Sequence, residues 1–345
     1  MKKFLSVCAA FLLPCCLLFS QEADNSGAGA ELSIVPRLDL GISGPVGNND
    51  GNVEPTLGNS SIYSLFEGNI SEHISFYLEN HWASFGLVDK KFDKDGLLDL
   101  YRHTGHSDWD NWLNAAYLQY DFDSGFWANL GKNMLYMGGI EFDEYDFNVH
   151  PMMASTLWNN FQPFQWQVSA GWSNESTTLG LQMSTSPYGE HPFTSGLYSY
   201  AAQWRGEYGP VANIWSFAMV GKGDGEYYPL LSLGQSFSIG ENLTISADYS
   251  NAVSLDVLDK GHSAYAGISW KPLDQFAFVG RAGMESSKWY EFGGDRTRWN
   301  FGGGVHWFPL KDSEDLRVHA TFSRNNVYGC YEALVGVIYH LNFSL

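Results

Sequence analysis

Three things are scarce in this sequence: cysteine, long apolar runs and basic charge. Each shortage removes a class of protein. Of four cysteines, Cys8, Cys15 and Cys16 fall within the first twenty residues, which leaves Cys330 alone and no internal disulfide framework. Past residue 20 no stretch reaches the roughly 18 consecutive apolar residues that a transmembrane helix needs. Lys and Arg number 19 against 38 Asp and Glu, a net charge of −19. Nucleic-acid partners, which need a basic footprint, are therefore excluded.

The N-terminus reads as an export signal. Met1-Lys2-Lys3 is a short basic head, Phe4 to Phe19 is apolar apart from Ser6 and Pro14, and polarity returns at Ser20-Gln21-Glu22. This layout predicts a signal peptide over residues 1–20 and a mature chain over 21–345. An anchor is the competing reading, but the run is short and Pro14 interrupts it. Cys15 and Cys16 suggest lipidation, but Pro14 and Cys15 replace the small residue expected before a lipidated cysteine. Loss of Lys2 and Lys3 would carry the net charge to −21.

What remains is rich in aromatics and glycine. The chain has 13 Trp, 19 Tyr, 23 Phe and 37 Gly, yet its mean hydropathy is −0.21. A polar average with many aromatics suits a membrane β-barrel, where half of each strand faces lipid and half faces water.

Period-2 alternation carries the argument. Phe164, Trp166, Val168, Ala170 and Trp172 alternate with Gln165, Gln167, Ser169 and Gly171. Trp299, Phe301, Gly303, Val305 and Trp307 alternate with Asn300, Gly302, Gly304 and His306. Large aromatics close the ends of these rows, as interfacial girdles do. The pattern predicts sixteen strands: 31–42, 60–70, 72–82, 111–122, 125–135, 163–172, 176–186, 197–208, 211–221, 229–239, 242–251, 262–271, 275–285, 297–307, 315–324 and 332–343. Connections alternate long (43–59, 83–110, 136–162, 187–196, 222–228, 252–261, 286–296, 325–331) and short, such as Gly209-Pro210. That is the habit of a closed antiparallel barrel with long extracellular loops and short periplasmic turns. The chain ends on the apolar row Val335, Val337, Tyr339, Leu341, Phe343 and Leu345, which resembles an outer-membrane assembly signal. The strand over 125–135 fits least well: neither of its rows is cleanly apolar, and Lys132 has no assigned side. A bulge there, or contact with another subunit, is the expectation.

Sixteen strands leave an aqueous lumen. Its inward rows are expected to carry Arg37, Arg205, Arg281, Arg298 and Arg317, together with Asp39, Glu67, Glu79, Asp121, Glu207 and Asp248. Two readings stay open. The arginines form a staircase that guides anions, or the opposite charges pair and leave mixed or cation-leaning passage.

Gly138-Gly139 permits a bend of the 136–162 loop into the lumen. Its Glu141, Asp143, Glu144, Asp146, Trp158 and Asn159 would then form a constriction; an exposed acidic loop is the alternative. His103, His106 and the aspartates of 83–110 lack metal-site spacing, so neither metal nor cofactor is expected.

Leu130 to Glu144, followed by Leu157-Trp158-Asn159-Asn160, resembles the phosphate-selective porin family, especially its divergent Bacteroidetes members. The resemblance implies sixteen strands, a homotrimer and inward-folded loops. The expected place is the outer membrane of a Gram-negative bacterium, amid its lipid and lipopolysaccharide. The expected role is passive diffusion of small hydrophilic solutes or ions. A scaffold for a surface or secretion assembly is the competing role. A barrel enzyme is not expected: His81, Ser84 and Asp89 have no nucleophile motif around them.

Overall fold

The structure, a computed structural model, describes residues 29–46, 52–58, 60–84, 113–142, 153–155, 163–189, 193–252, 262–286, 297–311, 313–326 and 329–345. The strands are β1 (Gly29–Pro45), β2 (Glu54–Thr56), β3 (Ser61–Ser71), β4 (Ile74–Ser84), β5 (Leu113–Asp121), β6 (Phe126–Met134), β7 (Phe164–Ser173), β8 (Thr177–Thr185) and β9 (Tyr198–Tyr208). They continue as β10 (Val211–Gly223), β11 (Glu226–Ile239), β12 (Leu243–Ala252), β13 (His262–Leu273), β14 (Phe276–Ser286), β15 (Thr297–Trp307), β16 (Leu316–Asn325), β17 (Cys330–Tyr339) and β18 (Leu341–Ser344). β18 prolongs β17 beyond His340, and β2 is a three-residue strip beside the outer end of β1. The wall therefore has sixteen staves, and no stave end departs from the sequence reading by more than three residues.

Consecutive staves pair antiparallel throughout, and β1 closes the sheet by pairing with β3 on one side and with β17 and β18 on the other. Closure is what lipid demands, because an open edge would leave backbone groups unpaired in hydrocarbon. The alternation sorts cleanly onto two faces. Leu40 is 57% exposed, Leu181 67% and Val335 59%, while neighbouring Asp39, Gln182 and Leu334 are buried. The exposed apolar row is the lipid face of a transmembrane barrel. Trp299 and Trp307 mark its two ends on β15.

Two expectations are corrected. Residues 222–228 are not a loop: β10 and β11 run on to a tight hairpin whose centre, Asp224-Gly225, has φ of 52° and 77°. Asp-Gly is a favoured pair for a turn with two left-handed residues, and that signal outweighs the alternation of connection lengths. In β6 no bulge occurs; its ladders to β5 and β7 run without a register shift. Leu130 pairs with Leu118 and Val168 on the outer row, so Lys132 belongs to that row too. Its amine bends onto the Leu113 carbonyl at 2.6 Å, which satisfies a charge that would otherwise meet lipid.

Candidate pore constriction

After β6 the chain turns inward instead of outward. Gly138 adopts φ 111°, a conformation other residues rarely take, and the 3-10 turn Ile140–Phe142 follows. Leu135, Met137 and Phe142 pack on Ala201, Ala218, Val220 and Leu230, which are inner-row residues of β9, β10 and β11. An apolar patch on an inner wall is unusual in a water-filled barrel, and here it seats the loop. Full burial of each large side chain contributes about 1.5–3 kcal/mol.

The turn then meets the wall backbone to backbone. A Cβ on Gly234 would strike the Ile140 nitrogen, and one on Gly139 would come within 2.6 Å of the Gly234 Cα. Only glycines on both sides allow this approach. Ser216 Oγ donates to the Gly138 carbonyl at 2.6 Å, and Gln182 bonds the Tyr136 N–H and the Met134 carbonyl at 2.8 and 2.9 Å.

Glu141 is the centre of the arrangement. Its backbone N–H donates to both Asp248 oxygens at 3.2 Å, and its Oε1 lies 2.8 Å from Arg281 Nη2. The Ser155 N–H donates to the same carboxylate, so the second described piece of the loop is tied to the first. Arg281 Nη1 is 4.0 Å from Asp248, and the guanidinium lies over the Tyr265 ring at 4.5 Å. Asn300 donates to the Tyr265 hydroxyl at 2.7 Å, which fixes that ring. Met153 abuts Gly302 of β15, so the loop touches the inner wall from β9 round to β15.

A second network lies at the closing seam. Arg37 Nη2 is 2.6 Å from Asp39, whose other oxygen meets His319 Nε2 at 2.9 Å. Ser60 Oγ receives the Asp39 N–H at 2.8 Å, so Thr56, Gly58 and Ser60 also tuck inward. Glu79 is held by Tyr77, His81 and Asn114 at 3.0–3.2 Å. Arg205 bonds Gln203 at 2.7 Å, and Arg298 donates to the Asn326 carbonyl at 3.1 Å. Arg317, Glu67 and Glu207 occupy inner-row positions opposite Ile338, Tyr77 and Ala212.

The structure thus brings Arg281, Asp248 and Glu141 together, and Arg37 with Asp39. Asp143, Glu144, Asp146, Trp158 and Asn159 lie outside the described residues, as do residues 1–28 and His103 and His106. Tyr265, Asn300 and His319 escaped the sequence reading, although alternation had already put them on inner rows. The inward-facing Ala201, Ala218, Val220 and Leu230 were a readable sign of a docked loop.

No protein-family model matches this chain, and no curated protein matches it. Solved structures do. OmpF of Salmonella typhi, in a complex with daunomycin, superposes with a TM-score of 0.59 at 11% identity, covering 93% of this chain and all of that one. A loop-deletion mutant of OmpT, an outer-membrane protein of Vibrio cholerae, gives 0.55 at 11% identity over 91% of this chain and all of its own. A mutant of the Rh. blastica porin gives 0.54 at 12% identity over 90% of this chain and all of its own. At such identities the likeness is one of fold: the chain is built as these porins are, as a closed sixteen-stave antiparallel barrel.

Proposed function

We propose that this protein is an outer-membrane porin through which small hydrophilic solutes and ions pass by diffusion. The carrying observation is the segment Leu135–Phe142 lying inside a sixteen-stave barrel, locked by Glu141 to Arg281 and Asp248. A loop held against the wall narrows a lumen while leaving it polar and wet. The likeness to solved porins supports the same reading.

The finer assignments follow from it. Residues 1–20 act as the export signal, the outer row contacts lipid and lipopolysaccharide, and three copies assemble. The resemblance of Leu130–Glu144 to phosphate-selective porins raises anion selectivity. Arg37 and Arg281 are each committed to carboxylates, however, which takes two steps out of the arginine staircase. Mixed passage with a cation preference fits this balance, since the chain's net charge of −19 attracts cations at long range. Proteoliposome swelling tests the function. Isosmotic solutes of rising size should enter up to a sharp limit, and no entry of even the smallest would exclude a diffusion pore.

A further inference from the structure

The inner wall is chemically divided. On β5 to β8 the one charged inner-row residue among those described is Asp121, at the edge of the strip. The rest of that quarter is amide, hydroxyl and aromatic. The charged networks of Arg281 and Arg37 belong to β12–β17 and β1.

In this quarter lies a cavity of about 340 Å³, lined among others by Trp127, Tyr136, Tyr117, Gln119, Asn129 and, as its one charged side chain, Asp121. Trp127 sits on an inner row, opposite Asp121 and Gly171, so lipid contact does not account for it. Its indole lies flat on the wall over two glycines. A Cβ on Gly171 would strike Cζ2, and one on its cross-strand partner Gly180 would reach Cη2 at 3.4 Å and the Tyr136 ring at 2.9 Å. Trp127 Nε1 donates to Ser173 Oγ at 3.1 Å, which in turn lies 3.0 Å from Thr178 Oγ1, so the ring is fixed in plane. Around it stand side-chain amides: Gln119 Nε2 donates to Asp121 at 2.9 Å, and Gln167 Nε2 to Asn129 Oδ1 at 2.5 Å.

We infer that this cavity is a binding subsite for a neutral saccharide. A sugar ring offers a face of C–H groups and a rim of hydroxyls. A fixed aromatic plane takes the face. Amides carry donors and acceptors together, which suits hydroxyls that are both. The cavity size falls within the range of small-molecule sites, and the lack of cationic side chains in its lining gives no purchase to phosphate. The subsite rests on the pore reading only in that the ligand must reach the lumen.

The test is titration calorimetry on the folded full barrel, in a detergent without a sugar headgroup, with maltotriose, cellotriose and inorganic phosphate as probes. No conduction is needed, so failure of the subsite and failure of the pore are separate results. At least one trisaccharide should bind, with an affinity unchanged between low and high KCl, and phosphate should not. Trp127→Ala should weaken binding at least tenfold, and Trp127→Phe should weaken it less. Gly180→Ala, which pushes a methyl against Trp127 and Tyr136, should also weaken it and serves if Trp127→Ala does not fold. Absence of binding by both trisaccharides, or equal binding by wild type and variants, overturns the proposal.

Discussion

Arg281 Nη2 and Glu141 Oε1 lie 2.8 Å apart, with both side chains only 4% exposed. One sits at the middle of a wall strand and the other at the tip of the inward segment. Removing one partner leaves the other charge buried and orphaned, at a cost of roughly 3–5 kcal/mol. Arg281→Ala should therefore release the segment: single-channel current should rise and become noisier. The double variant Arg281→Ala/Glu141→Gln should be less destabilised than Arg281→Ala alone, as read by urea unfolding. Equal stability of the two would mean that Glu141 is held by its backbone bonds and not by the ion pair.

Gly234→Ala tests the same docking without touching a charge. The added methyl meets the Ile140 nitrogen and the Gly139 Cα, neither of which belongs to a flexible side-chain tip. Overpacking of this kind costs about 1–3 kcal/mol. The wall strand itself gains only a favourable residue, so the barrel should fold while the segment is displaced. Conductance above wild type is the expected result.

At the seam, Asp39 and His319 meet across Gly336, which stands between them on β17. A Cβ at 336 would collide with both side chains. Asp39→Ala should lower the urea midpoint by the equivalent of about 3 kcal/mol or more, because it strands Arg37 in a fully buried site. Gly336→Ala should lower it as well, and combining the two should cost less than their sum. Strict additivity would show that the residues do not act as one network.

The two faces of the wall differ in what they tolerate. Leu181 is 67% exposed on the outer row. Leu181→Arg should destabilise the barrel in bilayers by about 2–4 kcal/mol if it lies near mid-membrane. The same change at half-buried, inner-row Thr321 should cost under about 1 kcal/mol, because that row faces the lumen and not lipid. Similar losses at both sites would contradict the assignment of faces.

Much of this was legible in the sequence, for a physical reason: with a side-chain period of two and lipid outside, each stave had to write its outer row in apolar residues. Trp166, Val168 and Ala170 did so, and their strand lies where the pattern placed it. The Asp224-Gly225 hairpin is also written in the sequence, as a turn pair inside the span 222–228 that the alternation of long and short connections assigns to a loop. Gly138-Gly139 announced the inward bend. What alternation does not reveal is which inner side chains meet. Asp39 reaches His319 two staves away only because Gly336 is bare, and Glu141 finds Arg281 only after a loop has folded onto an apolar patch. Nor does alternation reveal that Trp127 finds room on the inner wall because Gly171 and Gly180 are bare.

The central claim is an open pore narrowed by a docked segment, and planar-bilayer recording tests it most directly. Purified mature protein in a KCl gradient should give stable, ohmic conductance steps with a reversal potential on the potassium side, and Arg281→Ala should enlarge them. Folded protein that inserts and carries no current would contradict the account and turn the reading towards a closed scaffold barrel.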